Sequence, residues 1–161
     1  MLIRKEEKRD FDEIRNINNI CFNGEYESKL ADNIRKGGNF ILSLVAEDNG
    51  KIAGHIMYSR IKIGDTDSVA LAPMCVLPEY QKKGIGTDLI KESFKYLKEM
   101  NEKNIVVLGH TDFYSRLEFE KAADYGVKCP FTVPDEVFMV IELKKGSLKA
   151  GVVEYGEEFS M

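Results

Sequence analysis

Apolar and polar positions follow several rhythms along the chain, and each rhythm predicts an element. From Asp10, apolar residues fall at Phe11, Ile14, Ile17 and Cys21, the stripe of an amphipathic helix. Asp10, with Glu13 three residues on, predicts a capping box at its start, and Asn23-Gly24 predicts its end. Tyr26, Leu30, Ala31 and Ile34 make a second helical stripe, closed by Gly37-Gly38. Residues 40–46 then run apolar, Asp48-Asn49-Gly50-Lys51 predicts a hairpin, and 52–63 the returning strand. Gly64-Asp65 turns the chain into a third strand over 68–76. After a loop with Pro78, Gly84 and Gly86, Leu89, Ile90, Phe94, Leu97 and Met100 share one face of a strong helix. Its wet face carries Lys91, Glu92, Lys95, Lys98 and Glu99.

The run NIVVL at 104–108 is short and continuously apolar, as in a strand buried on both faces. Strand, glycine-containing loop, helix and buried strand form a βαβ unit, so its two strands are expected to be parallel. One or two helical turns over 113–119 and a last strand over 137–143 complete the pattern. Beyond Lys144 no core periodicity continues, although Val152, Val153, Tyr155 and Phe159 could dock. The predicted class is α/β: one mixed sheet flanked by helices, in a single domain over 1–161 with 144–161 as a tail of unassigned packing.

Composition narrows the function classes. The 161 residues are 43% hydrophobic and 31% charged, which suits one globular core. No apolar run spans a membrane, and MLIRKEEKRD lacks the apolar stretch of a secretory signal, so a cytoplasmic protein is expected. Cys21, Cys75 and Cys129 are an odd number at wide spacings, which argues against a disulfide framework. Two histidines without a CxxC argue against a metal site. Twenty-three basic against 27 acidic residues leave a net charge of -4, unfavourable for nucleic acid.

The stretch carrying chemistry is Met74-Cys75-Val76-Leu77-Pro78-Glu79-Tyr80-Gln81-Lys82-Lys83-Gly84-Ile85-Gly86-Thr87, between a strand and a helix. A helix N-terminus leaves about four main-chain N–H groups unpaired at the positive end of its dipole. Glycines let that backbone approach a diphosphate, and Lys82 and Lys83 add local positive charge. The stretch is neither GxxxxGK[ST] nor GxGxxG, because Leu89 stands where the third glycine would be.

The run QKKGIGT after VLPEY resembles the acyl-CoA-binding motif Q/R-x-x-G-x-G/A of the GNAT N-acetyltransferase superfamily. The order of elements over roughly residues 2–143 is similar too. VLGHTDFYSRLEFEKA resembles the family's segment with F-Y-x-x-x-G-F, and DYGVKCPF with VPDEVFMVIEL resembles the YhbS-type subgroup. The resemblance implies a GNAT-like fold whose central parallel strands splay apart, and acetyl-CoA as co-substrate. It implies that the main chain of Met74, Cys75 and Val76 pairs with the pantetheine arm. Lys82, Lys83, Gly84, Ile85, Gly86 and Thr87 would hold the pyrophosphate through their amides. Tyr114 falls at the tyrosine that protonates the departing thiolate. One departure is Glu118, where the family carries glycine.

The implied reaction is direct transfer of an acetyl group to a primary amine of a small molecule or peptide. The amine must lose a proton, so a base is expected, with Glu25, Glu27, His55 and His110 as candidates. His110 ranks first because it lies after the buried strand and close to Tyr114. A non-catalytic module that binds or senses acyl-CoA would use the same cradle. The tail leaves a homodimer open.

Overall fold

The computed structural model describes residues 1–160. In chain order the elements are β1 (Leu2–Lys5), α1 (Phe11–Phe22), α2 (Tyr26–Lys36), β2 (Phe40–Asp48), β3 (Lys51–Ile63) and β4 (Thr66–Val76). There follow α3 (Ile85–Glu99), β5 (Asn104–Leu108), α4 (Thr111–Ser115), β6 (Glu120–Lys121), β7 (Val127–Lys128), β8 (Phe138–Glu142) and β9 (Gly151–Glu154). The sheet runs β1-β2-β3-β4-β5-β8-β6. Only β4 and β5 are parallel within that order. This is the mixed sheet the βαβ unit predicts.

Strand alternation divides the core between two faces. Leu44, Ile56, Val69 and Ile105 pack with Leu89, Ile90 and Leu97 of α3. Their neighbours point the other way: Val45 and Ile52 meet Ile14 and Ile17 of α1, and Met57 meets Leu30, Ala31 and Ile34 of α2. Ala70, Val106 and Val140 extend that second face to Val127 and Val153 near the end of the chain.

Three features depart from the sequence pattern. Residues 2–5 form an edge strand, β1, paired with β2. Four residues, none of them buried, are too short to show a period. That strand brings Arg4 to the Asp10 carboxylate at 2.7 and 2.9 Å, and the same carboxylate accepts the Glu7 N–H at 2.7 Å. The expected capping box is therefore absent: Asp10 serves the preceding turn, and Glu13 instead accepts the Ile52 N–H at 2.6 Å.

The tail is not loose packing. Strand β9 pairs with β3 at Lys62↔Glu154 and Ile63↔Val153, and with β7 in parallel. The final 3-10 turn reaches α2, where the Tyr26 hydroxyl donates to Phe159 O at 3.3 Å.

Candidate active site between two parted strands

Strands β4 and β5 are joined for only two residues, Val69↔Ile105 and Ala70↔Val106. Beyond that point β4 runs on to Val76 without β5 beside it. The local cause lies in β4 itself. Pro73 supplies no N–H to a ladder, and the register with β3 slips between Ile56↔Met74 and Tyr58↔Leu71, a bulge at Ala72-Pro73. Bulge and proline together turn β4 away from its parallel neighbour.

The free edge of β4 is polar main chain. Leu77 N donates to Ala53 O at 2.9 Å, which sets the phase of the β3–β4 ladder. By alternation the amide of Cys75 also turns to β3, whereas the main-chain groups of Met74 and Val76 face the gap. Val76 O fits that direction, since it accepts from Gln81 Nε2 at 3.0 Å and from Cys21 Sγ at 3.4 Å. A cavity of about 360 Å³ fills the gap. Its lining includes Ala70–Met74 of β4, Val106 and Leu108–His110 at the end of β5, and Tyr114.

The N-terminus of α3 opens beside this edge. Gly84 is its first flanking residue, with φ +84° and ψ 4° and no side-chain cap. A Cβ there would meet nothing within 4 Å, so conformation rather than crowding requires glycine. Gly86 differs: a Cβ would stand 2.9 Å from Met74 Cε and 3.3 Å from Phe113 Cζ, so it lets α3 close onto those side chains. Lys82, Lys83 and Gly84 are exposed, and the Lys83 ammonium stands 5.6 Å from the Tyr80 ring centroid. The first amides of α3 lack partners within the helix and point outward with its positive dipole end.

Tyr114 is held by the end of α4. Phe119 N donates to Tyr114 O at 3.1 Å and Glu118 N to Ser115 O at 3.1 Å. Glu118 has φ +73°. These are the bonds of a Schellman motif, and its usual apolar contact is present as the Tyr114 and Phe119 rings, 5.3 Å apart and edge-on. Glu118 thus adopts the left-handed conformation that the family's glycine would adopt, and the turn keeps its shape. From the other side the Tyr114 ring packs against Gly109, where a Cβ would stand only 2.5 Å from Tyr114 Cε2, a clash that glycine avoids. The Tyr114 hydroxyl points towards Met74 Sδ at 3.9 Å, and burial pushes its pKa up to about 12.

The acetyltransferase (GNAT) family profile matches residues 11–119. This chain belongs to the GNAT acetyltransferase family. It is similar to the uncharacterized N-acetyltransferase YhbS of Escherichia coli strain K12, with 32% identity over 165 residues and 99% of each chain covered. The crystal structure of Escherichia coli YhbS in complex with CoA matches at TM-score 0.93 and 31% identity, covering 99% of this chain and 92% of that one. A GNAT acetyltransferase of Brucella melitensis in complex with acetyl-CoA matches at TM-score 0.84 and 30% identity, covering 98% and 97%.

Within this GNAT fold the four base candidates separate. His55 is fully buried. Asn18 Nδ2 lies 3.2 Å from its Nδ1 and also donates to Ile14 O at 3.0 Å, so Nδ1 is the acceptor. Nε2 then donates to Ser43 Oγ at 2.9 Å, which passes the chain on to Glu6 at 2.6 Å. Burial first, and the charge of Arg35 second, lower the His55 pKa to about 3. His55 is therefore a neutral core residue with no path to the cavity, and its candidacy as a base is withdrawn. Glu25 is exposed and paired with Lys29 at 3.4 Å. Glu27 and His110 line the cavity.

Cys75 is buried, and its thiol packs against Cys21 in the cluster beneath α1. Its hydrogen bond with Cys21 first, and burial second, raise its pKa well above that of an ordinary thiol, which does not suit a nucleophile. The sequence pattern did not reveal the rest of the cavity wall: Phe22 and Tyr26 around the α1–α2 turn, Phe131, and Tyr155 and Phe159 near the end. Gly109 escaped notice as well, because its role depends on a ring five residues on folding back over it.

Proposed function

We propose that this chain is an N-acetyltransferase, passing acetyl directly from acetyl-CoA to a primary amine of a small molecule or peptide. The observation that carries this reading is the alignment of the outward main chain of Met74 and Val76 with the open N-terminus of α3. A thioester arm laid along β4 ends beside Tyr114 when its diphosphate sits at Lys82–Thr87. The residues fit acetyl-CoA: unpaired donors, a glycine opening onto free space at Gly84, and two exposed lysines stand where the two charges of the diphosphate need them. The CoA bound by YhbS and the acetyl-CoA bound by the Brucella relative support the same donor.

In this reading the Met74 or Val76 N–H donates to the thioester oxygen as negative charge develops there, worth ~3 kcal/mol in a site closed to water. Tyr114 acts at the sulfur. Its phenol, near 12, faces a thiol of ordinary pKa ~8.5, so complete proton transfer would be uphill by roughly 5 kcal/mol. Tyr114 therefore donates a hydrogen bond to the sulfur as the C–S bond breaks, rather than handing over its proton. His110, exposed at the rim, receives the proton that the attacking amine sheds.

The test is thiol release from acetyl-CoA by the purified protein across a panel of primary amines. Amine-dependent release with the acetylated amine detected by mass supports the transferase. Saturable acetyl-CoA binding with no release against any amine overturns it in favour of a binding module.

A further inference from the structure

The acceptor half of the cavity carries its own chemistry, and this inference rests on the transferase reading above. Glu27 is the one carboxylate that lines it, and no lysine or arginine among the described residues does. The Glu27 carboxylate makes no hydrogen bond or ion pair among the described residues, although several of its acidic neighbours do, including Glu25 with Lys29 and Asp32 with Arg15. An unpaired carboxylate in a half-buried wall attracts a cation and repels an anion. The net charge of -4 adds to that sign at longer range.

Much of the wall facing Glu27 is aromatic. Phe131 stacks on Tyr155 with centroids 5.4 Å apart and planes 25° from parallel, and Phe159 continues the row 4.9 Å from Tyr155. Phe22 and Tyr26 face the same space from the α1–α2 turn. The bond from Tyr26 to Phe159 O ties the two sides together. The Tyr155 hydroxyl has no hydrogen-bond partner among the described residues.

We propose that the acceptor is a small primary amine with an aromatic body and no carboxylate beside the nitrogen, an arylalkylamine. Glu27 draws in its ammonium group, and the row Phe131, Tyr155 and Phe159 takes its ring. A free amino acid fails because its α-carboxylate would meet Glu27 with no cation to offset the repulsion. A polyamine is the weaker fit because, with no ring, it makes only a cation–π contact with the aromatic row and gives up ring-on-ring burial. Glu27 is a specificity residue in this scheme: it holds the amine and takes no part in bond making.

The experiment compares phenethylamine, phenylalanine, spermidine and a short peptide with a free N-terminus, using thiol release at saturating acetyl-CoA. In parallel, phenethylamine binding to the CoA-saturated protein is measured by calorimetry. Phenethylamine is expected to exceed phenylalanine in kcat/KM by tenfold or more. In Glu27→Gln, its KM is expected to rise by tenfold or more, with acetyl-CoA affinity unchanged. The conservative variant Glu27→Asp is expected to recover part of the loss. Equal or better turnover of phenylalanine, spermidine or the peptide overturns the proposal, as does an unchanged KM in Glu27→Gln. If no amine is turned over, calorimetry still decides: Glu27-dependent phenethylamine binding keeps the acceptor assignment while the transferase reading fails. Absence of such binding sinks the assignment too.

Discussion

The two halves of the cavity are built in opposite ways. On the proposed function, the donor half is main chain from one contiguous stretch, the end of β4 and the start of α3, and the acceptor half is what faces it. The acceptor half is side chains from four separated segments: the α1–α2 turn, the end of β5, Phe131, and the final residues. Main-chain donors depend on conformation, so a few residues with special backbone requirements set them. A side-chain wall depends on packing between distant segments, so its chemistry is set by which residues those segments carry. The donor half thus depends on backbone conformation, and the acceptor half on which side chains meet there.

The largest expected effect tests the hinge between the halves. Tyr114→Phe is predicted to lower kcat by about 10²-fold, in the range of a lost hydrogen bond to a developing charge, with acetyl-CoA affinity unchanged. Steady-state kinetics with a titration of acetyl-CoA checks both. An unchanged kcat under chemistry-limited conditions would reduce Tyr114 to a packing residue.

A donor-side lesion acts differently. Gly84→Val forces a side chain onto φ +84° and should weaken acetyl-CoA binding by about tenfold while sparing kcat at saturation. If kcat at saturating acetyl-CoA falls instead, the division between halves is wrong.

The two histidines separate along the same line, and pH resolves them. His55 titrates near 3 when folded and near 6.5 when unfolded. Between those values the unfolded chain binds a proton that the folded protein refuses, so stability falls as pH drops. Roughly 2 kcal/mol should be lost by pH 5 through this residue alone, from ~1.4 kcal/mol for each pKa unit. The Asp10 carboxyl, held low by Arg4, adds its loss only as pH falls into the ordinary carboxylate range and below, outside this window. Melting curves from pH 7 to 5 should flatten in His55→Gln relative to the parent chain. Parallel curves would contradict a buried neutral His55.

The smallest effect concerns Glu118. Returning glycine to its left-handed position should stabilise the protein by about 1 kcal/mol and leave kcat unchanged, since the Schellman motif already holds Tyr114. Chemical denaturation reads the first and the steady-state assay the second.

Much of the fold was legible, for definite reasons. The stripes of α1, α2 and α3 and the Asn49-Gly50 hairpin are local patterns, and both turn residues do take positive φ. Edge strand β1 escaped because four half-exposed residues carry no period, and β9 because its partners lie some ninety and some twenty residues back in the chain. Pro73 stood in plain view: a proline inside an apolar strand marks a bulge, and that bulge opens the gap. Which amides of the Met74–Val76 trio face that gap depends on ladder phase, which no local pattern carries. Glu25 and Glu27 were equal candidates in the sequence, and only the folded chain, which brings Tyr155 and Phe159 to the same cavity as Glu27, tells them apart.

Amide-resolved NMR during titration with acetyl-CoA tests the central claim most directly. Saturable shifts concentrated at Met74, Val76 and the amides of Lys82–Thr87 are predicted, with Cys75, turned to β3, moving less. Saturable binding whose shifts fall away from β4 and the start of α3, or no binding at all, would contradict it.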